Sequence, residues 1–133
     1  MLRQRNHKHY TRHKEAARAL VHARLTHYNT HYQLPLKKVF IKNTKSRWGS
    51  CSSRGNLNFS YKLLFLPPAV ADYVIVHELC HLVEFNHGHA FWARVAEACP
   101  NYKELRQSLR TIERASFARK SVFGMVGFGT VLK

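Results

Sequence analysis

Acidic side chains are scarce in this 133-residue chain, where 7 Asp and Glu stand against 22 Lys and Arg, for a formal charge of +15. That excludes an acidic scaffold and favours encounters with polyanions such as nucleic acid, nucleotides or an anionic membrane face. Cysteine is also sparse. Cys51, Cys80 and Cys99 are odd in number, widely spaced and form no C-x-x-C pair, so no disulfide framework is expected and a reducing compartment is. No run of about 18–20 apolar residues occurs, which removes a transmembrane helix. The first residues carry charge with no apolar stretch behind them, unlike a secretory signal, so a cytoplasmic protein is expected.

What is present suits one compact domain: the length fits a single core, and 45% apolar residues suffice to build it. Residues 1–10, basic and His-rich, read as a flexible arm. Residues 11–120 read as the folded domain. Residues 121–133 form a Gly-interrupted apolar segment that fits either an added strand or a tail. From Thr11 to about Tyr32, apolar Ala17, Leu20, Val21, Leu25, Tyr28 and Tyr32 recur at spacings of three and four, one face of an amphipathic helix that Pro35 ends. Val39-Phe40-Ile41 and the alternation of Leu57, Phe59 and Tyr61 with Asn58 and Ser60 predict two or three short antiparallel strands, with a hairpin centred on Arg54-Gly55-Asn56. Ala69 to Glu84 is apolar on all sides and predicts a helix through the core. Two more helices are expected, from about His89 to Ala98 and from Tyr102 to about Lys120, with Pro100 between them. The class is α+β.

The chemistry is carried by His77-Glu78-Leu79-Cys80-His81. In a helix, residues four apart share a face, so both imidazoles reach one ion, while Glu78 projects beside it as a general base. A chain with ten His can hold such a string by accident. In a buried helix, however, two His and a Glu are costly unless something satisfies them. A hydrolytic zinc wants three protein ligands and an open position. His87, six residues on and beside Gly88, is the preferred third ligand; Glu84, Glu97 and His89 are the others. Zn²⁺ is the expected metal by ligand type and mechanism, although three imidazoles also suit manganese, iron or nickel. Cys80 and Cys51 read as small hydrophobes, and Phe91 and Trp92 as aromatics packing one helix on another.

Arg47-Trp48-Gly49-Ser50-Cys51, Asn56-Leu57-Asn58, Pro67, the run Asp72 to Leu82, Asn86-His87 and Phe91-Trp92 together resemble the YgjP-like metallopeptidase domain, related to SprT-like and WLM metalloproteases. The resemblance spans roughly residues 10–115. It implies a zincin-like fold in which an N-terminal helix and a small sheet surround the buried H-E-x-x-H helix. It also implies zinc on His77, His81 and His87, with catalytic Glu78. Metzincins share this His spacing but have glycine where Glu84 stands. The SprT-like and WLM relatives act on DNA-attached proteins, and some YgjP-like proteins are labelled UTP pyrophosphatases. The expected activity is therefore zinc-dependent cleavage of a protein or peptide, with a nucleotide phosphoanhydride as the alternative substrate. Arg47 and Trp48 are candidate substrate contacts beside the sheet edge on which zincins lay an extended substrate. From another class comes a nucleic-acid-binding module with structural zinc, which would need a fourth ligand such as His89.

Overall fold

The computed structural model describes residues 2–120. Four helices and three strands follow one another: α1 (Leu2–Tyr32), β1 (Val39–Lys42), β2 (Gly49–Cys51), β3 (Leu57–Ser60), a 3₁₀ turn (Tyr61–Phe65), α2 (Pro68–Cys80), α3 (His89–Ala98) and α4 (Tyr102–Lys120). The α+β class is as expected. The expected tail at 121–133 lies outside the described residues.

α1 runs for 31 residues, roughly 46 Å at about 1.5 Å per residue. It begins at Leu2, so the flexible arm expected at residues 1–10 is helical from Leu2 onward. These residues carry no apolar period, which is why they read as loose. Their Arg, Gln and Lys are nevertheless good helix formers, and tertiary contacts hold them down. His9 Nδ1 lies 2.8 Å from the Tyr61 hydroxyl, and the Tyr10 hydroxyl donates to the Ile41 carbonyl at 3.2 Å. Farther along, Ala17, Val21, Leu25 and Tyr32 are buried, as the three-and-four spacing predicts. The helix closes before Pro35 with Gln33 at a φ of 51°, its N–H bonded to the Asn29 carbonyl.

The sheet is mixed, in the order β1-β3-β2. β2 and β3 form the expected antiparallel hairpin, turning through Gly55 at a φ of +88° that a side chain would strain. β1, however, pairs with β3 in parallel, Val39 opposite Leu57 and Lys42 opposite Ser60, which corrects the all-antiparallel expectation. The 14 residues 43–56 between these strands are enough chain for a parallel return, and alternation alone carries no strand direction.

α2 occupies the centre. Ten of its thirteen residues are buried, from Val70 through Cys80, because α1, β2, α3 and α4 all pack on it. It stops at Cys80, earlier than the apolar run suggested. Leu82 N–H bonds back to Leu79 and Val83 N–H to Cys80, tightening the exit into a turn. On its outer end Asp72 receives both arms of the Arg24 guanidinium, at 2.9 and 2.8 Å, and the Tyr28 hydroxyl at 2.9 Å. Asp72→Ala would strand a half-buried cation and a phenol at the α1–α2 contact. We expect a stability loss of about 1–3 kcal/mol, read as a lower urea midpoint with unchanged slope.

Candidate metal centre

His77 lies in the last turn of α2, and His81 caps that helix with helical dihedrals, so the two rings sit one turn apart on one face. His87 comes from the loop between α2 and α3. Asn86 shapes this loop by accepting the Gly88 N–H on its side chain at 2.9 Å. The three Nε2 atoms form a triangle with edges of 3.2 Å (His77–His81), 3.0 Å (His81–His87) and 3.2 Å (His77–His87). Hydrogen bonds cannot satisfy such a triangle. An imidazole nitrogen is either donor or acceptor, and three members in a closed ring cannot alternate.

One tautomer is fixed independently. His81 Nδ1 is 2.9 Å from the Glu84 carbonyl oxygen, which only accepts, so Nδ1 carries the proton and Nε2 turns its lone pair inward. Three nitrogens about 2.0–2.1 Å from a tetrahedral zinc stand about 3.3 Å apart, close to the edges observed. The donor set therefore fits a zinc-sized cation with a position left open.

Around the triangle the surroundings are apolar. The Phe91 ring centroid lies 4.9, 4.4 and 5.0 Å from those of His77, His81 and His87. Trp92 stacks on His87 at 5.9 Å, and Tyr102 stacks on Trp92 at 4.9 Å. Phe91 and Trp92 thus pack directly on the imidazoles, beyond the helix packing expected of them. Burial lowers the pKa of His81 and of His87, with the charges on His81 and Arg106 adding to the effect at His87. Both shifts favour the neutral ring, the form that ligates a metal.

The other candidate ligands are engaged elsewhere. The Glu84 side chain faces Arg94 at 3.7 Å, the Glu97 carboxylate is 3.0 Å from His31, and His89 is exposed at the start of α3. Among the described residues, His77, His81 and His87 form the one group of three able to hold a metal. Cys80 is fully buried, its thiol against the Tyr32 hydroxyl.

Glu78 is 1% exposed, and its Oε2 has no hydrogen-bond partner. Burial pushes its carboxyl up to about 8, against the pull of the Arg47 guanidinium. A cleft of about 240 Å³ opens beside it, lined by Arg47, Gly49, Ser50, Cys51, Glu78, His81, Phe85 and His87. Gly49 is a matter of space: a Cβ there would lie 2.9 Å from Glu78 Cγ and 3.2 Å from the Asn58 carbonyl oxygen. The Cys51 thiol is pushed up to about 11 by burial and by Glu78, so it is no thiolate at neutral pH.

Of the two substrate candidates, Arg47 is exposed on the cleft wall and Trp48 is not. Trp48 is 7% exposed, and its indole N–H donates to the buried Glu113 of α4 at 3.0 Å, so it anchors the wall from inside. Sequence reasoning missed Phe85, 63% exposed at the cleft rim. It gave no role either to Gly49, whose only signal was its place in the Arg47–Cys51 string.

The family described as "YgjP-like, metallopeptidase domain" matches residues 2–112. The chain belongs to the YgjP-like metallopeptidase family. Among solved structures, this YgjP-like domain is similar to the crystal structure of the metallopeptidase zymogen of Pyrococcus abyssi abylysin. The two share 28% sequence identity with a TM-score of 0.63, over 71% of this chain and 95% of that one. That likeness supports the zincin-like architecture. No curated protein matches the chain. The comparisons give no support to a nucleotide or nucleic-acid partner. Among the described residues, no helix is long and apolar enough to cross a membrane.

Proposed function

We propose that this YgjP-like domain is a zinc metallopeptidase in which His77, His81 and His87 hold the metal and Glu78 is the general base. The Nε2 triangle carries the reading, because a cation resolves it and three ring nitrogens alone do not. When bound, zinc supplies Lewis acidity, polarising a peptide carbonyl and acidifying water.

The protein's own groups do the rest. A cation held by the three His would favour the ionised form of the buried Glu78 carboxyl, which then accepts a proton from the attacking water and returns it to the leaving amine nitrogen. Phe91 and Trp92 hold the His rings in place. Among the described residues β2 is a terminal strand of the sheet, beside Glu78, and its outer edge holds the substrate as an added strand. A structural-zinc reading would need a fourth ligand, and exposed His89 lies outside the triangle.

The direct test is peptide hydrolysis. Purified protein is expected to cleave an unfolded protein substrate, to stop after chelation, and to recover with one equivalent of zinc. Stoichiometric zinc with no cleavage of any peptide would sink the peptidase assignment.

A further inference from the structure

The turn that leaves α2 keeps apolar residues on the outside. Leu82 is buried, but Val83 and Phe85 are exposed, at 37% and 63%. Large apolar side chains left in water forgo the gain of burial, and neighbouring ones mark a surface that binding covers. The other two large apolar side chains exposed among the described residues have partners of their own. Lys42 Nζ stands 5.9 Å over the Phe40 ring, and the Phe65 ring lies 5.3 and 5.0 Å from those of His9 and His13. Phe85 has no ring or cation against it among the described residues.

Phe85 is also tied to the metal centre from both sides. One residue before it, the Glu84 carbonyl accepts from His81 Nδ1 at 2.9 Å. Two residues after it, His87 Nε2 closes the triangle at 3.0 and 3.2 Å. Asn86, between them, turns the chain by accepting the Gly88 N–H. Two peptide units span at most about 7 Å, so the Phe85 Cα lies within that distance of the His87 Cα. The ring lines the same cleft as Glu78, His81 and His87, together with Gly49, Ser50 and Cys51 of β2. Every other residue of that lining is charged, polar or small, so Phe85 supplies its one broad apolar surface.

We propose that Phe85 is a specificity determinant of the metal cleft, against which a large aliphatic or aromatic substrate side chain next to the scissile bond is buried. The inference rests on the peptidase reading of the cleft. The carbonyl under attack must lie at the His triangle and within reach of Glu78. The two residues joined by that bond then lie beside the triangle, where the short tether to His87 also holds Phe85. A Leu or Phe there covers the Phe85 ring and leaves water itself, whereas Ala covers little of it. The two anchors fix the loop beforehand, so little ordering remains to oppose binding. The occupant is a substrate side chain because the ring is continuous with the cleft in which the substrate reacts.

The test uses full-length, zinc-loaded protein and blocked Ala-rich peptides in which Leu or Phe replaces Ala at each position in turn. Both kcat/KM and the bond cleaved are read for each peptide. The expected result is about tenfold preference for Leu or Phe over Ala at one position bordering the cleaved bond, the scale on which apolar pockets discriminate. Phe85→Ala should bring that ratio close to one, and Phe85→Leu should keep most of it. Phe85 is exposed, so both variants are expected to fold, and their zinc content reports on the triangle. Phe65→Ala removes an exposed ring that does not line the cleft and should leave the ratio as it is. A ratio that falls equally in Phe65→Ala would reflect general apolar adhesion and overturn the subsite. No preference, a preference spread over all positions, or one that survives in Phe85→Ala would overturn it as well. So would a self-associating wild type that becomes monomeric in Phe85→Ala with its peptide preference intact, which would give the ring to a second copy. Binding of the same peptides to zinc-loaded Glu78→Gln separates this inference from the peptidase reading. Tighter, Phe85-dependent binding of Leu peptides without cleavage by wild type keeps the apolar site and removes the peptidase; cleavage without the preference does the reverse.

Discussion

Glu78→Gln is expected to lower kcat by about 10²–10⁴-fold, the range that a positioned general base contributes, while zinc content stays at one per chain. The substitution keeps size and shape in a site where the side chain is 1% exposed and Gly49 leaves no slack. It replaces an oxygen able to take a proton with an amide that cannot. Thermal stability should change little, because an amide of the same shape replaces a buried carboxyl whose Oε2 already lacks a hydrogen-bond partner. The measurement is steady-state cleavage together with metal analysis and a melt on the same preparation. Full activity would remove Glu78 from the chemistry. Loss of zinc along with activity would make it a structural support of the site.

His87→Ala should weaken zinc binding by at least about a hundredfold, since even outer partners of metal ligands are worth about 10–100-fold. With saturating zinc, such a difference appears as about 2.7 kcal/mol less metal-induced stabilisation. His87 decides most because it is the proposed ligand that α2 does not place: it joins the α3 side of the loop to the helix. Competition with a chromogenic chelator gives the affinity, and melts with and without zinc give the stability. His89→Ala is the control, being exposed and outside the triangle. Zinc held equally tightly by wild type and His87→Ala, and lost on changing His89 or Glu84, would move the third ligand.

Much of this is legible in the sequence. Pro100 and the Asn86-His87-Gly88 exit punctuate the chain, so α3 and α4 fall where the punctuation puts them. The face shared by His77 and His81 follows from helical period. Properties that depend on distant partners were not legible. Residues 2–10 are helical because His9 and Tyr10 meet Tyr61 and Ile41, fifty-two and thirty-one positions away. The parallel pairing of β1 with β3 is a choice of direction that alternation does not encode. Trp48 turned inward because Glu113 offers an acceptor sixty-five residues downstream. The prominence of Phe85 at the cleft rim depends on the α2 exit turning after Cys80 while apolar residues continue.

The outer edge of β2 has one more consequence, for how such a protein can change over generations. The backbone grip proposed for it would be present whatever side chains the strand carries, since it is made of peptide N–H and C=O groups. Exchanges at Ser50 or Cys51 would therefore alter which peptides are preferred without abolishing the hold on peptides as such. Gly49 has no such latitude, because any side chain there meets Glu78. The cleft wall thus combines one immovable position with neighbours open to drift, an arrangement in which preference can diverge while the reaction persists.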